Sequence, residues 1–311
     1  MTDPRLDEAA RAGWLYYVAG RTQDEIARSL GVSRQKAQRL VSQAAQAGLV
    51  KVRLDHPIAR CMELAAALHD RWALEVAQVA PSDPSVPDLL AGVAAQAAIE
   101  MERLLADEAP RILALGTGRA LTASVEQVER MDRPQHRIVS LLGNMMRDGS
   151  ASPFNATIRL AERVGARRYP MALPVFADGP DEVAMLHAQA PVANTLELCA
   201  RADLAFVGVA PVSVHAPMVV DGFVAPEEIE AMVARGAVGE ITGWAYDAAG
   251  RVLEGGHNDR VAGAPLRPDG PPRIGVAVGA AKADALRAAL EGGLLRGIVT
   301  DEATAAAVLS A

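Results

Sequence analysis

Between Thr22 and Ala44 the chain writes out two short helices joined by a tight turn. Ile26, Ala27 and Leu30 recur at helical spacing, and Gly31 supplies a residue free to take the left-handed conformation that ends a helix. Ser33 can then accept a hydrogen bond from the unpaired N–H groups of the next helix, which opens with cations. In that second helix Ala37, Leu40, Val41 and Ala44 form an i, i+3, i+4, i+7 apolar stripe. At about 100° per residue the opposite face carries Gln35, Arg39, Ser42 and Gln46, flanked by Lys36 and Gln38. Amides and a guanidinium on one exposed face are the groups that pair with adenine and guanine edges in the major groove. The pattern predicts a helix-turn-helix that reads double-stranded DNA.

An ordinary helical hairpin with a solvated polar face would share part of this pattern. Three further features argue against it. Trp14, Leu15, Tyr16 and Val18 supply a preceding apolar helix, as a three-helix DNA-binding core requires. Gly48–Leu54 alternates apolar with basic residues, which predicts a wing strand carrying Lys51 and Arg53. Charge is also uneven: residues 21–60 hold eight Lys/Arg against three Asp/Glu, whereas residues 61–311 hold 21 against 32. A basic module on an acidic body lets one end of the chain meet phosphates while the rest does not. The expected DNA contacts are Gln35, Gln38, Arg39 and Ser42 to bases, and Arg34, Lys36, Lys51 and Arg53 alongside them, with the phosphates taken by Lys36, Lys51 and Arg53.

At 311 residues and 50% hydrophobic, the chain can bury a large core and divides into two expected domains, 1–56 and 57–311. The first residues are polar and lack a signal-peptide apolar run, and no stretch reaches the roughly 18 apolar residues of a membrane span. Cys61 and Cys199 sit in apolar helical surroundings and read as core thiols rather than a disulfide, which places the chain in reducing cytosol. The six histidines show no metal-ligand spacing, and no metal or cofactor motif is present.

From Arg111 onward, short apolar runs alternate with amphipathic segments. Strands are expected at 111–115, 137–142, 166–173, 204–210, 273–278 and 297–300, with helices at 119–131, 154–164, 193–202, 226–234, 282–290 and 302–309. This is an α/β pattern with a parallel sheet covered on both faces, whose ligands bind where strand ends meet helix starts. Three glycine turns fall at such places: Gly116-Thr117-Gly118-Arg119, Gly143-Asn144, and Gly279-Ala280-Ala281-Lys282. The first combines glycines, a hydroxyl and a cation at a helix N-terminus, a natural anion site. Lys282 is a cation at a helix start, opposing the dipole, which an anionic ligand nearby would rationalise. Asp247 either anchors the turn before Gly250 or accepts hydrogen bonds from sugar hydroxyls.

With these residues in place, the chain resembles the SorC family of bacterial sugar-sensing transcriptional regulators. The likeness runs from Trp14-Leu15-Tyr16-Tyr17 through Gly20–Gly31 and Leu49-Val50-Lys51-Val52, and continues at Gly116–Arg119, Ala202–Val209 and Gly236–Ile241. It closes with Gly279–Lys282 and Ile298-Val299-Thr300-Asp301-Glu302. The resemblance implies a winged-helix-like DNA-binding domain and a Rossmann-like effector domain similar to sugar-phosphate isomerases. It further implies a homo-oligomer, a tetramer, whose hold on operator DNA changes when a sugar or polyol, usually phosphorylated, occupies the strand-end pocket. Ala120 stands where the family usually has threonine, which removes a hydroxyl donor and keeps a free polyol open as the effector, although Thr117 and Thr122 remain close. The composition and the Trp-Leu-Tyr-Tyr start look most like the polyol-catabolism branch. The alternative is an isomerase-like enzyme with a DNA-binding domain, which needs a general base such as Asp247 or His215.

Overall fold

The computed structural model describes residues 4–51, 58–82, 89–146, 150–152, 154–220 and 222–310. The chain falls into two units, Met1–His56 and Pro57–Ala311.

The first unit holds helices α1 (Pro4–Tyr17), α2 (Gln23–Leu30) and α3 (Arg34–Gln46). Thr22 starts α2 with a reciprocal cap: its Oγ1 accepts the Glu25 N–H at 3.3 Å, and the Glu25 carboxylate accepts the Thr22 N–H at 2.8 Å. Gly31 ends α2 at φ +65°, and Ser33 Oγ accepts the Lys36 N–H at 3.2 Å to start α3. The stripe Ala37, Leu40, Val41 and Ala44 is buried as expected, against Ile26 and Ala27.

Two expectations need correction here. Helix α1 does contribute to this core, but through Ala9 and Ala12; Leu15 is only partly buried, and Trp14, Tyr16 and Val18 lie outside it. The reason is close approach. A Cβ added at Gly13 would sit 2.7 Å from both Ala44 Cβ and Val50 Cγ2, so α1 meets α3 where only the smallest side chains fit. The wing strand also fails over its described part. Leu49 N–H closes the end of α3 on Ala44 O, Val50 packs back against the three-helix core, and neither Leu49, Val50 nor Lys51 is in a strand. The remainder, including Arg53, lies outside the described residues.

The second unit begins with α4 (Ala59–Trp72), β1 (Val76–Ala80), α5 (Leu90–Leu105), β2 (Ile112–Leu115), α6 (Arg119–Gln127), β3 (Arg137–Met145), α7 (Ala156–Val164) and β4 (Arg167–Pro174). There follow α8 (Pro180–His187), α9 (Ala190–Ala200), β5 (Leu204–Gly208), β6 (Ala210–Pro211), α10 (Pro217–Val220), α11 (Pro226–Ala234), β7 (Ala237–Ile241) and β8 (Trp244–Asp247). It ends with β9 (Arg273–Val276), α12 (Ala283–Glu291), β10 (Gly297–Asp301) and α13 (Glu302–Leu309). Seven strands form a parallel sheet in the order β1-β10-β9-β5-β2-β3-β4. Alternate residues serve opposite faces: Ala205 and Val207 of β5 join one core with α4, α9, α12 and α13, while Phe206 joins another with α5, α6 and α7. That two-sided burial is why these strands read as continuous apolar runs.

Strands β6, β7 and β8 make a separate antiparallel sheet that the apolar periodicity did not predict. The strand expected at 204–210 is therefore divided. Its first five residues belong to the large sheet, and Ala210-Pro211 turns away to pair with Glu240 and Gly239. Strand β1 at the sheet edge was likewise not anticipated. Cys61 and Cys199 are buried free thiols, and burial pushes Cys199 up to about 12. Among the described residues no helix is long and apolar enough to cross a membrane.

Candidate effector site

The order of the large sheet fixes where a ligand can sit. From β2 the chain moves outward through β3 and β4, then returns to the other side of β2 with β5 and continues through β9 and β10. Connections on the two sides of β2 and β5 diverge, and this opens a crevice at their carboxyl ends. A cavity of about 180 Å³ lies there, walled by Thr117, Gly118, Arg119 and Ala120 after β2, and by Gly208, Val209 and Ala210 where β5 passes into β6. An apolar cavity of about 150 Å³ is enough to hold benzene, so this one suits a single small molecule.

Its polar residues gather from three segments. Arg119 is the first residue of α6, and Gly118 before it has φ +116°, a conformation few other residues would adopt without strain. The Arg119 guanidinium carbon lies 5.5 Å from the centre of the Phe154 ring. Lys282 closes the short 3-10 turn Ala280–Lys282 that follows β9. This turn is fastened from below: the Gly279 N–H donates to Thr304 Oγ1 at 2.8 Å and to the buried Asp301 carboxylate at 3.3 Å. Glu240 comes from β7, and its Oε2 accepts the Gly243 N–H at 2.9 Å. Burial raises the Glu240 carboxyl, against the opposing pull of that hydrogen bond and of Lys282. Burial likewise lowers the Lys282 ammonium, which Glu240 partly offsets and Arg119 reinforces. Two cations and one carboxylate thus face a common space, Arg119 from its exposed rim and Lys282 and Glu240 from half-buried positions, where a charged ligand group is felt more strongly than in open solvent.

The remaining wall is apolar. Phe154, Phe176 and Phe223 line it, three of the four phenylalanines in a chain that is only 4% aromatic. Leu142, Val175 and Met218 complete it. The β7–β8 hairpin contributes Thr242 and Gly243, both at positive φ (50° and 88°). That is the two-residue turn matching the twist of paired strands, but threonine is a costly occupant of it. Behind the hairpin, His257 Nε2 lies 3.0 Å from Gly243 O and its ring is tilted against Phe176 at 4.7 Å.

The structure brings Thr117, Gly118, Arg119 and Lys282 into this one cavity, and it separates the other expected ligands. Gly116, Gly143 and Asn144 line a much smaller adjoining cleft that shares Thr117 and Phe154 with the main cavity. Asp247 is not in the cavity wall. Its carboxylate accepts N–H groups from Ala249 and Arg251, both at 2.9 Å, and pairs with the Arg251 side chain, so it anchors the turn before Gly250. Burial would raise that carboxyl, but the hydrogen bonds from Arg251 and Ala249 outweigh it and hold Asp247 below its usual range. Thr122 Oγ1 is buried with no hydrogen-bond partner among the described residues and is not in the cavity wall, whereas Ala120 is. Glu240 was missed as a site residue; a lone glutamate in an alternating strand carries no signal until the hairpin folds it over the strand ends. In the first unit, Gln35, Gln38, Arg39 and Ser42 are all exposed on α3. Arg34 pairs with Asp24 at 3.5 Å and Lys36 with Glu8 at 3.0 Å, so neither cation is uncommitted.

The sugar-binding domain family model matches residues 56–310, the whole of the α/β unit. The chain belongs to the SorC-type family of sugar-binding transcriptional regulators. It is 35% identical to the erythritol catabolism regulatory protein EryD of Brucella abortus (strain 2308), over 99% of this chain and 98% of that one. It is 31% identical to the transcriptional regulator LsrR of Escherichia coli (strain K12), over 97% and 94% of the two chains. The full-length sorbitol operon regulator SorC of Klebsiella pneumoniae has the same fold, with a TM-score of 0.72 at 23% identity over 99% of this chain and all of that one. Membership in the SorC-type family accounts for both the mixed α/β unit and the helical unit before it.

Proposed function

We propose that this SorC-type regulator is a repressor of a polyol or sugar catabolic operon, released from its operator by a small effector seated between Arg119, Lys282 and Glu240. One observation carries the reading: in an aromatic-poor chain, three phenylalanines converge with two cations and a half-buried carboxylate at the strand-order switch point. Aromatic faces suit the C–H surface of a carbohydrate, the carboxylate accepts its hydroxyls, and the cations hold an anionic group such as a phosphate ester. Gln35, Gln38, Arg39 and Ser42 read the operator, and two or more copies on a two-fold axis join half-sites into a specific target. The names of EryD and SorC make erythritol, sorbitol and their phosphate esters the first ligands to try.

The test is a titration of operator-bound protein with each of these compounds, read as DNA release, with recovery of the ligand afterwards. Release by one of them, abolished in Lys282→Ala and with the ligand recovered unchanged, is the expected result. Chemical conversion of the ligand would overturn the sensor reading in favour of an enzyme. Release that survives unaltered in Lys282→Ala and Glu240→Gln would place the effector elsewhere.

A further inference from the structure

Helix α1 turns Trp14, Tyr17 and Val18 away from its own core, while Leu15 packs against it. Trp14 is 55% exposed, Tyr17 39% and Val18 67%, while the face toward α3 is Ala9, Ala12 and Gly13. At about 100° per residue, Asp7, Ala10, Trp14 and Tyr17 fall on one line of the helix. Their spacing of three, four and three residues is that of a coiled-coil seam.

That seam complements itself when run antiparallel. Ala10 and Trp14 are equidistant from position 12, and so are Asp7 and Tyr17. Turning a second copy about a two-fold axis at that position sets each Trp14 ring over the small Ala10 of the other copy. It also sets each Tyr17 hydroxyl against the other copy's Asp7 carboxylate. Large meets small and donor meets acceptor, each twice, with Leu6 and Val18 at the margins. An unrelated partner would give no reason for both pairs to share one centre; an isologous contact requires it.

We infer that α1 is the surface through which two N-terminal units of this regulator pair, as an antiparallel α1–α1 contact with Trp14 of each copy packed on Ala10 of the other. The pairing leaves the exposed face of α3 untouched, since α1 meets α3 through its opposite side. Successive helix packings of about 8–10 Å hold the two recognition helices about 25–30 Å apart, the order of one DNA turn. Each Trp or Tyr side chain buries about 150–250 Å² at most, so the contact amounts to a few hundred Å², well short of the about 1,200 Å² of a free-standing dimer. The pair therefore forms only where two units are already held close, by oligomerisation or by adjacent half-sites. This rests on the two-fold operator binding proposed above.

The experiment uses the full chain. Leu6→Cys/Val18→Cys, which keeps Asp7, Ala10, Trp14 and Tyr17, is oxidised with and without an operator of two half-sites, alongside Ser29→Cys/Ala45→Cys as a control at exposed positions off the reading face of α3; the native Cys61 and Cys199 are buried. Operator-dependent covalent dimer in the first variant, at least about 10-fold faster than in the control, is expected. Equal rates would overturn the pairing. In parallel, Trp14→Glu should weaken binding to the two-site operator about 10- to 100-fold while leaving single half-site affinity and the light-scattering mass unchanged. Equal loss on both operators, or none on either, would overturn it as well. A wild-type protein that is monomeric and binds one half-site with full affinity would instead defeat the oligomeric reading, a result legible without either variant.

Discussion

The two units of this regulator reach order by opposite routes. The helix-turn-helix is built from neighbours: Thr22 and Glu25 cap α2, Gly31 ends it, and Ser33 starts α3, all within twelve residues. The candidate effector cavity is built from strangers. Arg119, Phe154, Glu240 and Lys282 come from four segments spread over more than half the chain and meet only because the sheet order and the β7–β8 hairpin bring those segments together. A local motif announces itself in sequence and fails piecemeal when altered. A site assembled from afar is silent in sequence and depends on single residues that have no substitute.

That contrast can be broken by mutation. The largest effect is expected in the cavity. Lys282→Ala should weaken the effector response about 100-fold or more, because it removes a desolvated cation and leaves Glu240 without its counter-charge, while operator affinity without effector stays near wild type. A DNA-release titration checks both halves. Next, Arg39→Ala should cost operator binding about 1–3 kcal/mol and relax preference at one base position, which binding to a set of singly substituted operators would show. Smaller still, Ser33→Ala should remove about 1 kcal/mol from the helical unit alone, visible as a lower unfolding midpoint for that unit and not for the α/β unit. If one alanine in the local motif proved as damaging as Lys282→Ala in the cavity, the contrast would collapse.

The smallest effects sharpen the picture of the cavity. Asp247→Ala should change the effector response less than about 2-fold, since that carboxylate holds a hairpin turn and no ligand, and it should lower the unfolding midpoint by about 2–4 °C. Glu240→Gln addresses pH. Burial raises the folded-state value of this carboxyl, so its ionisation works against folding, and wild-type stability falls as pH climbs from the ordinary carboxylate range through that raised value. The unliganded Glu240→Gln protein should therefore match the wild type near about pH 5 and exceed it toward about pH 8, as unfolding midpoints across that range would show.

Legibility in the sequence followed the same division. Helices α2 and α3 and the alternating strands of the parallel sheet could be read directly, because helical and strand periodicities are local. Trp14 misled for the same reason: a large apolar residue at helical spacing reads as core, yet α1 turns Ala9, Ala12 and Gly13 to α3, where Ala44 and Val50 leave no room for a large side chain. The β7–β8 hairpin was hidden because Thr242 occupies a turn position that favours asparagine or glycine, and because β6 continues an apolar run belonging to another sheet. Asp247 drew attention by its chemistry, but its partners lie two and four residues away. Glu240 became visible only once that hidden hairpin was in place.

The division of labour inside the cavity decides which of its walls can be exchanged. Arg119 and Lys282 stand on turns leaving the ends of central strands, where any shift would disturb the sheet itself. Phe154, Phe176 and Phe223 stand on connecting segments outside every strand. The two cations are thus tied to the architecture of the sheet, and Phe176 and Phe223 to the core beneath the hairpin. Phe154 belongs to neither, so exchanging that one ring would reshape the cavity and leave the fold intact.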